Sequence, residues 1–333
     1  MTASTSRVTT SRKSSTAKST NSSTRSFTRS KPEKSKPRQI ADTSFSLPTI
    51  AEATRATTSA LLNAGIPSDE ASVEARTMLR SVCGITQEQL LANYSDELPT
   101  TAAYCLEHLL SHRASREPLA YILGEKEFYG RNFQVDRRVL IPRPETELLI
   151  DLCTQFAEHH HLQQPNICDI GTGSGVIAIT LAHEIPNSRI TATDISEDAL
   201  ELARSNAKNH DVNVNFANKD ATEPQINLHF DIIVSNPPYI KRSALETLQP
   251  EVRDWEPRQA LDGGPNGMDV LQPLIETLPN LLRKNGPTAA FIEIDPPIAQ
   301  SCLETVRAAV PDAEIQIHLD FAGLERVLVV LRV

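Results

Sequence analysis

The residues best placed to do chemistry lie in Asp231-Ile-Ile-Val-Ser-Asn-Pro-Pro-Tyr-Ile240. An apolar run of β type ends abruptly at Asn236-Pro237-Pro238-Tyr239. Neither proline has an N–H for a sheet ladder and both fix φ, so the strand stops there. It delivers an amide, a rigid carbonyl and an aromatic ring to the end of a sheet. In open α/β sheets ligands bind outside the carboxyl ends of the strands. The Asn236 side-chain oxygen and the Pro237 carbonyl are two fixed acceptors, and the Tyr239 ring can stack on a flat group. The set suits a planar nitrogen, either an amide or the exocyclic amine of a base. The lone pair of such a nitrogen is delocalised, which makes it a poor nucleophile. Two acceptors on its two N–H groups would orient it and reduce that delocalisation. Neither a metal nor a covalent intermediate is needed.

A second motif supplies a cofactor end. Asp169-Ile-Gly171-Thr172-Gly173-Ser174-Gly175 follows an apolar run and opens a helix. Glycines let backbone turn tightly and approach a ligand closely. Asp194 follows nineteen residues after Gly175 at the end of the next run, where an acid reaches ribose hydroxyls. Loop and acid together indicate adenosine with a free ribose, shared by dinucleotides and S-adenosylmethionine. Asp220 is placed either to contact the adenine amine or to make a turn. The Asn-Pro-Pro-Tyr motif favours a methyl transferase, because a dehydrogenase has no requirement for it.

Alternating strands and helices must position these motifs. Strands are expected near 166–170, 189–193, 213–217, 230–235, 288–294, 314–319 and 325–332, and helices near 175–184, 196–209, 268–283 and 297–309. Only Asp320-Phe-Ala-Gly323 joins the last two strands, which makes a hairpin and reverses the final strand. The expected fold is α/β, the Rossmann-like seven-stranded sheet of S-adenosylmethionine-dependent methyltransferases with one antiparallel strand, plus a small N-terminal helical domain. Its divisions are a disordered basic Ser/Thr-rich tail at 1–46, a helical substrate-recognition domain at 47–115, a β-hairpin or extended linker at 116–143 and a catalytic domain at 144–333. In the helical part, Ser68 reads as an N-cap, and Thr86 to Gln89 as a capping box. Thr100 or Thr101 opens a helix with Tyr104, Leu106, Leu109 and Leu110 on its apolar side. Pro144 starts another helix, which His159-His160-His161 closes; three adjacent histidines point in different directions and make no metal site.

Composition narrows the classes further. The 333 residues are 39% hydrophobic and 23% charged, and no run is long enough to span a membrane. Five scattered cysteines without a CxxC pair indicate a reducing, cytoplasmic compartment. The net charge of −9 combines a basic tail with an acidic body: residues 1–40 hold ten Lys or Arg and one Glu. The tail reads as a dispensable segment, a weak RNA-binding arm or an organellar transit peptide. The acidic body argues against stable nucleic-acid binding.

From about 49 to 333 the chain resembles the PrmC/HemK family of peptide chain release factor glutamine methyltransferases. The resemblance rests on Arg116-Glu-Pro-Leu-Ala-Tyr-Ile-Leu-Gly124, Phe128-Tyr-Gly130, Leu140-Ile-Pro-Arg-Pro-Glu-Thr-Glu147, Asp169 to Gly175, Ser235 to Ile240, Glu251-Val-Arg253, Glu256-Pro257, Ala260-Leu-Asp-Gly-Gly264 with Gly267, and Gly323-Leu-Glu-Arg-Val327. It implies a methyl transfer to the side-chain amide of the glutamine in the Gly-Gly-Gln loop of class 1 release factors. It implies that Gly171, Thr172, Gly173, Ser174, Gly175, Asp194, Asp220, Ala221 and Asn236 hold S-adenosylmethionine. The glutamine falls to Asn236, Pro237, Pro238 and Tyr239, with Arg143 and Glu145 bordering the substrate mouth. Ala221 stands where relatives often carry an aromatic residue. Glu293-Ile-Asp295-Pro-Pro departs from the Glu-Ile-Gly of relatives, and this turn is expected on a strand far from the pocket. The other readings are a ribosomal-protein glutamine methyltransferase, a nucleic-acid amino-methyltransferase and a non-catalytic cofactor-binding scaffold.

Overall fold

The computed structural model describes residues 47–221 and 228–332, all within one unit spanning Ser46–Val333. The tail expected to be disordered, 1–46, lies outside the described residues.

Four helices come first: α1 (Ile50–Asn63), α2 (Ser68–Cys83), α3 (Gln87–Ala92) and α4 (Thr100–Ala114). They close over a shared core that includes Leu61, Met78, Leu79, Leu90 and Leu106. Thr86 and Gln89 form the expected capping box, each side chain bonded to the other's backbone N–H. Ser68 does not cap: Pro67 holds the N-cap position, which puts Ser68 inside the first turn. Tyr104 is 74% exposed, which corrects its placement on the apolar side of α4. Ala102 and Leu106, one helical turn apart, face the core, and Tyr104 midway between them points away.

The following segment is not extended at its start. Leu119–Leu123 forms a short helix, α5, closed by Gly124 in the left-handed conformation. A five-residue apolar run fits a strand or a helical turn equally by pattern, and Pro118 with Gly124 decides for the turn. The hairpin itself is present as β1 (Glu125–Phe128) and β2 (Arg131–Gln134), with Phe128 and Phe133 buried edge to face. Pro144–Thr146 then makes one 3-10 turn leading into α6 (Glu147–His159).

The remaining elements are β3 (Asn166–Ile170), α7 (Val176–Glu184), β4 (Arg189–Asp194), α8 (Glu197–Asn209), β5 (Val214–Asn218), β6 (Ile232–Ser235), α9 (Pro250–Trp255), α10 (Leu271–Leu281), β7 (Thr288–Glu293), α11 (Pro296–Ala309), β8 (Glu314–Leu319) and β9 (Glu325–Arg332). Their sheet order is β5-β4-β3-β6-β7-β9-β8, and β9 alone runs antiparallel to its neighbours. This is the expected seven-stranded sheet. One apolar cluster joins α6 and α7 to one face, and another joins α10 and α11 to the other. Strand order reverses between β3 and β6, the switch point where such sheets open a ligand crevice. Register puts Ile170 beside Ser235 and Ser235 beside Ile292. Gly171 and Asn236, which follow β3 and β6, and Glu293, which ends β7, are thereby brought to one edge.

The N-terminal helices join the sheet domain through a buried ionic cluster. Arg113, 2% exposed, donates to Glu74 on α2 at 2.7 Å and to Glu251 on α9 at 2.7 Å. Arg116 donates to the other Glu251 oxygen at 2.6 Å and to the Gly65 carbonyl at 2.6 Å. No helix among the described residues is long and apolar enough to cross a membrane.

Candidate active site

A cavity of ≈ 540 Å³ opens at the carboxyl edge of β3, β4 and β6. The Gly171–Ser174 loop, Asp194, Asp220, Ala221, Asn236 and Pro238 all line it. The cofactor residues expected from the sequence are therefore brought together, except that Gly175 sits behind the wall. A Cβ at Gly175 would come within 3.0 Å of Ile179 Cδ1 and 3.1 Å of the Ala203 Cβ on α8. Gly171 and Gly173, at φ +77 and +55, have open space where a side chain would point.

Two carboxylates shape this end. Asp194 accepts from the Gly173 N–H and the Ser196 N–H, both at 2.9 Å, which fixes it at the rim. Burial raises its pKa, and the backbone donors oppose that rise. Asp169 lies fully buried at the base of the loop, where one oxygen accepts from Thr172 Oγ1 at 2.6 Å and from the Ala178 N–H at 3.2 Å. Its other oxygen has no partner, nor has Ser174 Oγ. Burial pushes the Asp169 carboxyl up to about 7, against those two donated bonds. An open glycine cradle, a rim acid and unpartnered polar atoms fit a polar, adenosine-bearing cofactor.

The acceptor end is assembled by β6, β7 and the 3-10 turn before α6. Asn236 donates through Nδ2 to Thr146 Oγ1 at 3.2 Å, and Thr146 donates to Glu293 Oε2 at 2.7 Å. Tyr239 donates its hydroxyl to Glu293 Oε1 at 3.0 Å. The Glu293-Ile-Asp295 turn is therefore not remote from the pocket. Strand β7 pairs directly with β6, so Glu293 ends up touching Tyr239. Burial raises the Glu293 pKa, and hydrogen bonds from Thr146 and Tyr239 with the charge of Arg326 oppose it. Pro237 is buried, and neither it nor Tyr239 forms the cavity wall; Asn236 and Pro238 do.

The Gly263 to Gly267 segment backs this turn. The Ile240 and Gly263 N–H groups bond to the Leu261 and Ile240 carbonyls at 3.0 and 2.9 Å. A Cβ at Gly263 would lie 2.8 Å from Tyr239 backbone carbon, and one at Gly267 would lie 2.5 Å from the Tyr239 carbonyl oxygen. Only glycine lets the two strips of backbone approach so closely.

Arg143 lines the cavity and pairs with the buried Glu256, whose other oxygen accepts from the Ile141 N–H. Glu145 is exposed and is not part of the wall. Arg137 and Arg138 also line the cavity, and Arg137 stacks over Trp255 at 4.0 Å from the ring centre. Thr146, Glu293, Glu256 and these two arginines were not singled out by sequence reasoning for the site. One signal was available for Glu293: a charged residue ending a continuous apolar strand, as Asp194 does on β4. Among the described residues no group of three or more His, Cys, Asp or Glu side chains is disposed to hold a metal ion.

Comparison with known proteins agrees in extent with this architecture. The PrmC N-terminal domain family matches residues 52–124, and the Methyltransferase small domain family matches residues 146–250. A release factor glutamine methyltransferase from Caulobacter vibrioides is 36% identical over 283 residues, covering 84% of this chain and 95% of that protein. Another, from Geobacter sulfurreducens, is 40% identical over 219 residues, covering 66% and 75%. A third, from Chlorobaculum tepidum, is 41% identical over 227 residues, covering 66% and 77%.

Proposed function

We propose, because this chain belongs to the release factor glutamine methyltransferase family, that its methyl acceptor is the loop glutamine of a class 1 peptide chain release factor. The cofactor is S-adenosylmethionine, which supplies an activated methyl group. The observation that carries the reading is the placement of Asn236 in the wall of the same cavity as the Gly171–Ser174 loop and Asp194.

In this reading Gly171 to Ser174 and Asp194 hold the cofactor, with Asp220 and Ala221 beside its adenine. Asn236 Oδ1 and the Pro237 carbonyl accept the two N–H groups of the glutamine amide. They act as orienting acceptors rather than as a general base, since neither takes up a proton near neutral pH. Tyr239, pinned at its hydroxyl by Glu293, backs the Asn236 turn rather than lining the cavity. Pro238 excludes water from that side of the cavity. Arg143, held by Glu256, borders the opening through which the loop enters. The helices α1 to α4 serve recognition of the protein substrate, and a cytoplasmic location fits the five free cysteines.

The test incubates the full chain with methyl-labelled cofactor and one of three acceptors: release factor, the same factor with its loop glutamine changed to alanine, or DNA. Label on the unmodified factor alone is expected. Label on DNA, or equal label on the alanine variant, overturns the reading.

A further inference from the structure

Asn236 is useful as an acceptor only if its oxygen, and not its NH₂ group, faces the guest. The two ends of an asparagine amide have nearly the same shape, so packing alone does not choose between them. The choice here is made by a chain of hydrogen bonds behind the residue. We infer that Thr146 and Glu293 are positioning residues that set the orientation of the Asn236 amide, a deepening that rests on the proposed methyl-transfer reading.

The chain of bonds begins at Glu293. Its side chain is 1% exposed, and its two oxygens meet two hydroxyls, Thr146 at 2.7 Å and Tyr239 at 3.0 Å. An ionised carboxylate is an acceptor only, so each hydroxyl must spend its single hydrogen on it. Thr146 is 3% exposed, so water does not substitute for either partner. With its hydrogen committed, Thr146 presents only a lone pair to Asn236, 3.2 Å away. The amide must then turn Nδ2 towards Thr146, which leaves Oδ1 on the opposite side. Arg326 provides the positive charge that favours ionised Glu293, and is itself paired with Asp320 at 3.1 Å and Asp295 at 3.8 Å. Glu145 is the acidic neighbour that opposes it.

The relay joins residues far apart in the chain: Thr146 to Asn236 spans ninety positions and Thr146 to Glu293 spans 147. Each step uses a side chain whose hydrogen-bonding capacity admits one arrangement. A protonated Glu293 would remove that constraint. It could donate to Thr146, free the threonine hydrogen for Asn236 and reverse the amide.

Thr146→Val keeps the shape and removes the hydroxyl, whereas Thr146→Ser keeps the hydroxyl. With release factor as acceptor, Thr146→Val is expected to lower kcat about three- to tenfold, the weight of one ordinary hydrogen bond. KM for the factor and cofactor affinity by titration calorimetry stay within about twofold, and Thr146→Ser recovers the turnover. Full turnover in Thr146→Val, an equal loss in Thr146→Ser, or a change confined to KM overturns the inference. Glu293→Gln is the second variant, because it no longer dictates which way the threonine hydrogen points. It is expected to lower kcat, and in the Thr146→Val background to add no more than Tyr239→Phe does, since that variant removes the other bond to Glu293; fully additive losses overturn the relay. A readout without substrate separates this inference from the methyl-transfer reading. In the NMR spectrum of the free chain, one Asn236 side-chain amide proton should be shifted downfield, and should lose that shift in Thr146→Val. An unchanged spectrum overturns the relay even if wild-type chain methylates the factor. An altered spectrum upholds it even if methylation fails.

Discussion

Two buried glutamates sit at opposite functional ends of this protein and are held in different ways. Glu251, where the N-terminal helices meet the sheet domain, faces two guanidiniums at 2.7 and 2.6 Å. Glu293, at the acceptor end, faces two hydroxyls at 2.7 and 3.0 Å, with Arg326 as its nearby cation. Burial raises the pKa of both. At Glu251 the hydrogen bonds from Arg116 and Arg113 outweigh that rise and hold the carboxyl below the usual range. At Glu293 burial prevails. The difference separates a carboxylate that fastens two parts together from one that sets the direction of neutral dipoles. Burial alone does not distinguish the two; the partners do. Charge pairing gives attachment, because removing one partner leaves a desolvated ion. Hydroxyl pairing gives direction, because each hydroxyl has a single hydrogen to give.

The comparison breaks if the two ends respond alike to substitution. The largest effect is expected at the acceptor end. Asn236→Ala should reduce turnover by roughly a hundredfold or more, of the order seen when a polar group aligned with a reacting centre is removed. Cofactor binding by titration calorimetry should stay within about twofold. Next comes attachment: Glu251→Gln should cost about 3 kcal/mol in urea unfolding, because it leaves Arg113 and Arg116 with one shared partner fewer. Glu293→Gln should cost clearly less in the same measurement, and equal costs would erase the distinction. Gly263→Ala should cost about 1–3 kcal/mol through its clash with Tyr239 backbone. It should also lower turnover, which separates it from Glu251→Gln, whose turnover in the folded state should hold.

The smallest effect is a difference in pH dependence. Because the Glu251 pKa is lowered on folding, its stabilisation is present above the usual glutamate range and is lost as pH falls through the lowered value. The penalty of Glu251→Gln should therefore shrink in acid. Because the Glu293 pKa is raised, wild-type protein loses stability relative to Glu293→Gln as pH climbs from the usual glutamate range through the raised value. Urea unfolding of the three proteins from about pH 2.5 to pH 8 checks both signs, the Glu251 slope below the usual glutamate value and the Glu293 slope above it, with slopes of at most about 1.4 kcal/mol per pH unit. Slopes of the same sign for both variants contradict the account.

The cofactor half was the more legible part of the sequence, and locality explains why. The Gly171–Gly175 loop joins β3 directly to α7, and Asp194 ends the next strand, so both follow from reading consecutive residues. The reversed last strand was legible for the same reason, through the four-residue connection Asp320-Phe-Ala-Gly323. The short helix α5 was not, since five apolar residues fit either period. The acceptor half depends on which strands become neighbours. Nothing in the residues around Glu293 says that β7 pairs with β6, and so the turn after β7 was expected far from the pocket. Nor does Arg113, one charged residue in a polar-faced helix, announce that it will be buried against Glu251. Asn236 was recognisable because its motif is self-contained, whereas Thr146, which sets its direction, lies ninety residues away.

In the proposed reading this cavity presents a release factor glutamine to a methyl donor through Asn236. The most direct measurement is tandem mass spectrometry of release factor incubated with S-adenosylmethionine and either wild-type chain or Asn236→Ala. The account predicts one added methyl group on the side-chain nitrogen of the loop glutamine with the wild-type chain and nearly none with Asn236→Ala. Methylation at another residue, or equal modification by the two proteins, contradicts it.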